Sequence, residues 1–290
     1  MGILKKVSQY KRFTRSKVGN FVYFFFLVLA GLFTLLPIIY MIVTSFKPLD
    51  ELMIFPPKFF VTRPTLANYA ALPALMSSIK VPLSRYVFNS VFLAVLVTVL
   101  QIVISSMAAF VMSKVKFKWI GVFFLVVQFS LLYNGTTLAI PQYIIYSKLK
   151  MINTYWVYIL PALQSSMAIF LMKQYIDDSV PDAMLEAARI DGASLYKIYS
   201  SIVMPNIKPA WMTICLFGFQ GVWSMQASGT IFNETLKTLP SVLSQIAAGG
   251  IARAGSSTAA SVLIMIPMIL VYLFTQSNIM ETMSSAGIKE

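Results

Sequence analysis

The chain is 290 residues long, 58% hydrophobic and 14% aromatic, with only 11% of its residues charged and a mean hydropathy of +0.77. Soluble domains carry about 25% charged residues, so this chain cannot clothe its apolar content in a polar shell and reads as an integral membrane protein. It has no histidine and one cysteine, which excludes imidazole catalysis, histidine-ligated metal, an intrachain disulfide and a cysteine metal cluster. The net charge of +13 reads as topology rather than nucleic-acid binding, because Lys and Arg collect on the cytoplasmic side of membrane spans.

A bilayer-crossing helix needs about 20 apolar residues, and six segments qualify in chain order: Phe21–Ser45, Phe88–Met112, Trp119–Ile140, Thr154–Met172, Ala210–Ala227 and Ala259–Gln276. Residues 1–20 precede them as a basic stretch containing Lys5, Lys6, Lys11, Arg12, Arg15 and Lys17 and no acid. That places the N-terminus in the cytoplasm, in reach of anionic lipid headgroups. The first apolar run is too long for a signal peptide and no cleavage site follows, so it is expected to be retained. Lys114, Lys116 and Lys118 crowd the short connection after the second segment, again inside. The loop from Lys47 to Arg85 falls outside although it also carries Lys58, Arg63 and Lys80; charge counting weakens as loops lengthen. Six spans, residues 21–276 as one permease-like domain, return the tail 277–290 to the cytoplasm. Pro37, Pro161 and Pro267 interrupt three spans, which neighbouring groups in a membrane bundle can repair.

No Asp, Glu, Lys or Arg falls inside the six segments. Proton relays and voltage sensors need ionisable groups at membrane depth, so a proton-driven carrier is disfavoured, while sodium coupling through carbonyls and hydroxyls stays open. The polar residues are amides, hydroxyls and an indole, with Gln128, Gln164, Gln220, Trp223 and Ser224 as candidates to line a path. They support two readings: interhelical hydrogen bonding, or a neutral route for a polyhydroxylated solute. No phosphate-binding glycine loop is present. This chain itself binds no cofactor on that reading, and uphill transport would draw its energy from another subunit.

Between the fourth and fifth spans lies a long cytoplasmic loop, 177–209. Ser179 followed by Pro181 and Asp182 reads as a helix start, Asp182–Ile190 is rich in helix formers, and Gly192 is placed to end the helix in a left-handed conformation. A second helix follows, with Leu195, Ile198, Tyr199 and Ile202 at i, i+3, i+4 and i+7 on one apolar face, stopped by Pro205 and Pro209. A helix–turn–helix presenting small Ala187 and Ala188 beside Glu186 suits docking to another protein. It could equally lie on the membrane surface. A third reading gathers Asp177, Asp178, Asp182, Glu186 and Asp191 into a metal-binding carboxylate cluster of a membrane enzyme, although acids at helix starts are ordinary.

Glu186, Ala187, Ala188, Gly192, Ile202 and Pro205 resemble the EAA motif of bacterial ABC importer permeases, E-A-A-x3-G-x9-I-x-L-P. Met204 stands for the usual Leu at similar volume. Asp191 and Ala193 extend the match to a D-G-A form similar to the carbohydrate branch, the relatives of the maltose permease pair. Ile140-Pro141, Asn153-Thr154-Tyr155-Trp156, Leu160-Pro161 and Ser285-Ala286-Gly287-Ile288-Lys289 also resemble that branch. The resemblance implies an all-α, multi-pass permease of the bacterial cell membrane, with six transmembrane helices and the helix–turn–helix as coupling loop. It implies as partners a second homologous permease, two cytoplasmic ABC ATPases that use ATP and Mg, an extracytoplasmic solute-binding protein and membrane lipid, with no nucleic acid. Glu186 would meet a basic residue of an ATPase, Ala187 and Ala188 its surface, and Gly192 would form the turn. The stretch Asn233–Ser257 would reach the binding protein or serve as a flexible connector. Permeases for peptides or osmolytes carry similar loops, and a stand-alone carrier or a membrane enzyme using the Asp177–Asp191 carboxylates remains a rival.

Overall fold

The computed structural model describes residues 17–77, 81–132, 138–226, 229–250 and 253–286. Among these, all regular structure is helical. In chain order the α-helices are α1 (Lys17–Ser45), α2 (Leu49–Leu52), α3 (Ala67–Ser77), α4 (Leu83–Lys114), α5 (Ile120–Ser130), α6 (Ala139–Lys148), α7 (Trp156–Leu163) and α8 (Ser166–Ser179). There follow α9 (Asp182–Ile190), α10 (Leu195–Ile198), a π-helical turn Tyr199–Val203, α11 (Met204–Asn206), α12 (Lys208–Trp223), a 3-10 turn Glu234–Leu236, α13 (Leu239–Ala247) and α14 (Ala254–Ala286).

Four of these segments are long and apolar enough to cross a bilayer: Val18–Ser45, Leu83–Lys114, Trp156–Ser179 and Ala254–Ile279. They cover the first, second, fourth and sixth expected spans, each with shifted ends. The third expected span, Trp119–Ile140, is not a single described helix. Helix α5 has 11 residues, about 16 Å at 1.5 Å per residue, and 133–137 lie outside the described residues. The fifth is α12, bent by 79° from the helix before it. The three prolines are tolerated as expected, since Pro37, Pro161 and Pro267 all sit inside helices. The fourth span opens at Gln164 (ψ 107°) and Ser165 (φ −135°, ψ 96°), just after the rung that Pro161 removes. Helix α14 carries on to Ala286, so the expected tail begins as a continuation of the last span. The basic residues 1–16 and the final 287–290 lie outside the described residues.

Helix α4 is the centre. Its Leu93, Ala94, Val97, Ser106 and Ala109 are at most 1% exposed, and α7, α8 and α12 pack around it. On α8, Ala168, Met172 and Ile176 join Ile102 and Phe110 of α4 in one apolar cluster. Helix α1 is different: its side chains are exposed along nearly the whole length, and it packs against α14. Lys47, one of the cations that strained the charge count, is buried, with its ammonium 5.2 Å from the centre of the Tyr40 ring and donating to the Lys58 carbonyl.

Away from the α9–α11 loop, the other end of α4 is held by polar contacts. The Asn89 amide donates to the Thr235 and Lys237 carbonyls at 2.8 and 2.9 Å and accepts from the Tyr155 hydroxyl at 2.8 Å. Ser90 accepts from the Leu239 amide at 2.7 Å. Asn153, in the left-handed region at φ 63°, accepts from the Phe232 and Asn233 amides at 3.1 and 2.8 Å. The first half of Asn233–Ser257 is therefore no plain connector: Leu239, Val242, Leu243 and Ile246 of α13 are buried in a cluster shared with Ala259 and Ala260 of α14.

Each group that Asn89 satisfies costs roughly 1–3 kcal/mol if left buried and unpaired. Asn89→Ala should therefore clearly lower the melting temperature of the detergent-purified protein. Asn206→Ala, at an exposed side chain that donates only to its own helix, should change stability by no more than about 0.5 kcal/mol.

Candidate functional site

The loop that carries the EAA-like residues is two short helices set on the end of α4 and α8. Helix α8 runs to Ser179, and only Val180 and Pro181 separate it from α9, so Pro181 (φ −62°, ψ 144°) takes the position before the first turn with no side-chain cap. The expected Ser179 cap does not form because Ser179 is still inside the preceding helix. The other end matches the expectation. Gly192 stands at φ 78°, its amide donates to the Arg189 carbonyl at 3.0 Å, and the Ala193 amide reaches back to Ala188 at 2.9 Å. This is the paired bonding that a left-handed glycine closes at a helix end.

Ser194 then caps α10, accepting from the Lys197 amide at 3.3 Å. The second helix does not stop at Pro205. It widens into the π turn Tyr199–Val203, continues to Asn206, and turns at Ile207 into α12. A proline offers no N–H to the carbonyl one turn back, and a π turn is one way a helix accommodates that loss. The Trp211 indole N–H donates to the Met204 carbonyl at 3.1 Å across the bend.

The inner face of this unit is apolar and closed. Leu185, Ile198, Val203 and Ile207 are buried with Phe110, Met172 and Val180, and Ala188, Ala193 and Ile202 pack against the same cluster. Tyr199 shares a 2.6 Å hydrogen bond with Ser106 of α4. The outward face carries Glu186, Ala187, Asp191, Gly192 and Pro205, all exposed. The expected docking pair is thus split: Ala187 faces out, while Ala188 is half-buried against its own chain. The outward surface has apolar residues that the sequence pattern did not single out, with Ile190 87% and Tyr196 74% exposed. Ala183, Ala187 and Ile190 recur at i, i+4 and i+7, the signal that could have found them. Leu195, assigned to the inner face, is exposed instead.

The acids do not converge. Asp177 pairs with Lys173 at 2.6 Å and accepts from Ser113, whereas Asp182 pairs with Lys114 at 2.8 Å. Among the described residues no group of three or more His, Cys, Asp or Glu side chains is placed to hold a metal ion. The hydrogen bond and charge of Lys114, helped by Lys116 and Arg189, hold the Asp182 carboxyl below the usual carboxylate range.

Of the five candidate path residues, Gln164 lies in the extended break of the fourth span and lines a cavity of about 280 Å³ together with Gln101, Ser165 and Gly218. Gln220 and Ser224 are exposed on one face of α12 with Phe217 and Gly221, at i, i+3, i+4 and i+7 from Phe217. Gln128 is exposed on α5, which packs on α8. Trp223 stands one turn beyond Gln220, past the edge of that exposed face, and turns into the bundle. It is 3% exposed, stacked on Phe219, and donates its indole N–H to the Ile264 carbonyl at 3.1 Å, so it clamps α12 to α14. A neighbouring cavity of about 510 Å³ is lined by Gln142, Tyr143, Tyr146, Gln226 and Thr230 and meets the first at Met225.

No family model matches the chain. Individual proteins do. A protein of Caldicellulosiruptor sp. (strain Rt8B.4) described as an ABC transporter permease, ORF2, is 29% identical over 275 residues, covering 92% of this chain and 96% of that protein. The arabinooligosaccharides transport system permease protein AraQ of Halalkalibacterium halodurans is 26% identical over 272 residues, 87% of this chain and 90% of AraQ. A chain from the crystal structure of a bacterial ABC transporter involved in import of the acidic polysaccharide alginate shares the fold, with a TM-score of 0.75, 22% identity and coverage of 91% and 98%. The protein is a transport subunit of the membrane, not an enzyme. Over nearly its whole length it is similar to permeases of bacterial ABC transporters, carbohydrate permeases among them.

Leu185→Ala, at a site 4% exposed, should cost about 2–5 kcal/mol and detach α9 from the bundle, read as faster proteolysis of the loop. Asp182→Asn should be mild. Because the folded pKa is depressed, its contribution is complete above the ordinary Asp value of about 3.9 and is lost on further acidification. Wild type and Asp182→Asn should therefore differ by a constant amount from about pH 6 to 8 and converge below about pH 4.

Proposed function

We propose that this chain is the six-span permease subunit of an importer that takes up an oligosaccharide delivered by an extracytoplasmic binding protein. The α9–α11 loop is the coupling element for a cytoplasmic ATPase, with both chain termini on that side. The observation that carries the reading is the loop itself: an EAA-type surface exposed at Glu186, Ala187 and Gly192, with its inner face built into the same apolar cluster as α4 and α8. A partner that grips the outer face would move α4 and α8 with it. Six crossings follow if α5 and α6 together make the third. A second homologous permease would cover exposed apolar surface, and two ATPases would bind and hydrolyse ATP with Mg, so this subunit does no covalent chemistry.

The solute path is assigned to the exposed face of α12 with Gln164, so Gln164, Gln220 and Ser224 stay in it and Trp223 leaves it. The amides and hydroxyl there hydrogen-bond without charge, as suits sugar hydroxyls. The names of the relatives, arabinooligosaccharides for AraQ and alginate for the solved transporter, support an oligosaccharide as solute. Tail residues 277–290 would point toward the ATPases, and the α13 region, between Asn233 and Ser257, toward the binding protein.

Purification of the tagged chain from its native membrane in mild detergent should bring down a second permease and an ABC ATPase. Glu186→Lys and Gly192→Pro should each lose the ATPase and abolish uptake, while Asp177→Ala with Asp178→Ala keeps most of it. A monodisperse lone chain, or full uptake by Gly192→Pro, contradicts the proposal.

A further inference from the structure

Besides the Tyr86 hydroxyl near its start, α4 has three further buried side-chain oxygens with no hydrogen-bond partner: Thr98 Oγ1, Gln101 Oε1 and Ser105 Oγ. They fall at i, i+3 and i+7, on one face of the helix. An unpaired polar group is costly wherever it is buried, and more so in a bilayer with no water at hand. Gln101 is the one of the three residues that borders a cavity, its Oε1 being enclosed against Gly218. It is 7% exposed, lies within one turn of the midpoint of the 32-residue α4, and lines the 280 Å³ cavity.

The other walls fit a ligand there. Gly218 lies directly against the Gln101 amide: a Cβ there would come within 2.3 Å of Gln101 Oε1, so only glycine leaves the amide its present place. The extended backbone at Gln164 and Ser165 borders the same cavity, and irregular backbone is tolerated at membrane depth where it lines a cavity. The cavity opens to the outside of the chain past Phe217 and Gly221, both exposed. Its lining has no charged residue: two amides and a hydroxyl stand among Met167, Phe217 and Met225. Its volume is just under the range of about 300–1,000 Å³ for small-molecule sites, a size for one ring and not for a whole oligosaccharide.

We propose that Gln101, with Gln164 and Ser165, forms a subsite that holds one uncharged sugar ring halfway across the membrane. This rests on the importer reading and adds that this subunit itself touches the solute, with the Gln101 amide turning from Gly218 to hydrogen-bond a ring hydroxyl. An acidic ring would find no counter-charge in this chain at that depth.

The test uses the whole complex in nanodiscs, in a Cys215→Ala background, with Gln101→Cys, Gln164→Cys and, as a core control, Val97→Cys (0% exposed). The probe is a positively charged, water-soluble methanethiosulfonate, with raffinose, arabinotriose or glycine betaine present at tens of millimolar. Labelling is expected at Gln101→Cys and Gln164→Cys but not at Val97→Cys. Raffinose or arabinotriose should slow it about threefold, corresponding to roughly two-thirds occupancy, and glycine betaine should not. If Gln101→Cys fails to assemble, Gln164→Cys carries the same comparison. Unreactive thiols at both positions, or labelling that neither sugar slows, overturns the subsite. Sugar-stimulated ATP hydrolysis of the complex with its binding protein separates the two failures: stimulation without protection sinks the subsite alone, and absence of both sinks the sugar importer reading as well.

Discussion

Neither lipid nor water reaches the face of α4 that carries Leu93, Ala94, Val97, Ser106 and Ala109, and the other elements are arranged around it. Lipid tails are as apolar as leucine, so helices in a bilayer associate through close fit and polar contacts and not by escaping water. The fit here comes from small residues, Ala94, Ala109 and Ala168 among those fully buried, and the polar contacts sit toward the ends. At one end Ser113 and Lys114 reach Asp177 and Asp182, and at the other Asn89 and Ser90 hold the chain between Thr235 and Leu239. One continuous helix thereby joins the α9–α11 loop to the opposite end of the molecule.

That arrangement would let the proposed coupling loop act as a lever. Its exposed side carries a glycine-closed turn and a few uncovered apolar side chains, while its inner side shares a close-packed cluster with two spans. Packed interiors transmit displacement because they have few voids to absorb it. The polar middle of the bundle is organised differently. Helix α12 turns Gln220 and Ser224 outward, and the fourth span opens at Gln164 and Ser165, so side-chain and backbone polarity meet beside the buried amide of Gln101. On the proposed coupling, force would enter at one end of α4, and the polar cavity lies along that helix.

Much of this was legible in the sequence. Composition settled the membrane class, and local chemistry located the loop: Gly192 adopts the left-handed conformation its position called for, and Asp182–Ile190 is the helix its residues favour. Other features were not legible. In a helix apolar on every side, periodicity carries little information about which face is buried, so Trp223 and Gln220, one turn apart, looked alike although one is buried and the other exposed. Gln101 could not be told from Ser105 and Ser106 for the same reason. The fourth span was read as continuous with a tolerated proline at Pro161, yet it opens at Gln164 and Ser165, where residue type gives no warning. Ser179 looked like a cap only because the length of α8 was unknown.

The central claim is that the loop and α4 move as one body. Nitroxide labels at Ala183→Cys, on the exposed face of α9, and Val87→Cys, near the far end of α4, would report it by pulsed electron resonance in the reconstituted complex, in a Cys215→Ala background. The account predicts one distance, unchanged within about 2 Å between the nucleotide-free and ATP-trapped states, the size of ordinary helix shifts. A change of about 5 Å, one helical turn of sliding, would show that the loop ratchets past α4 and is not built into it.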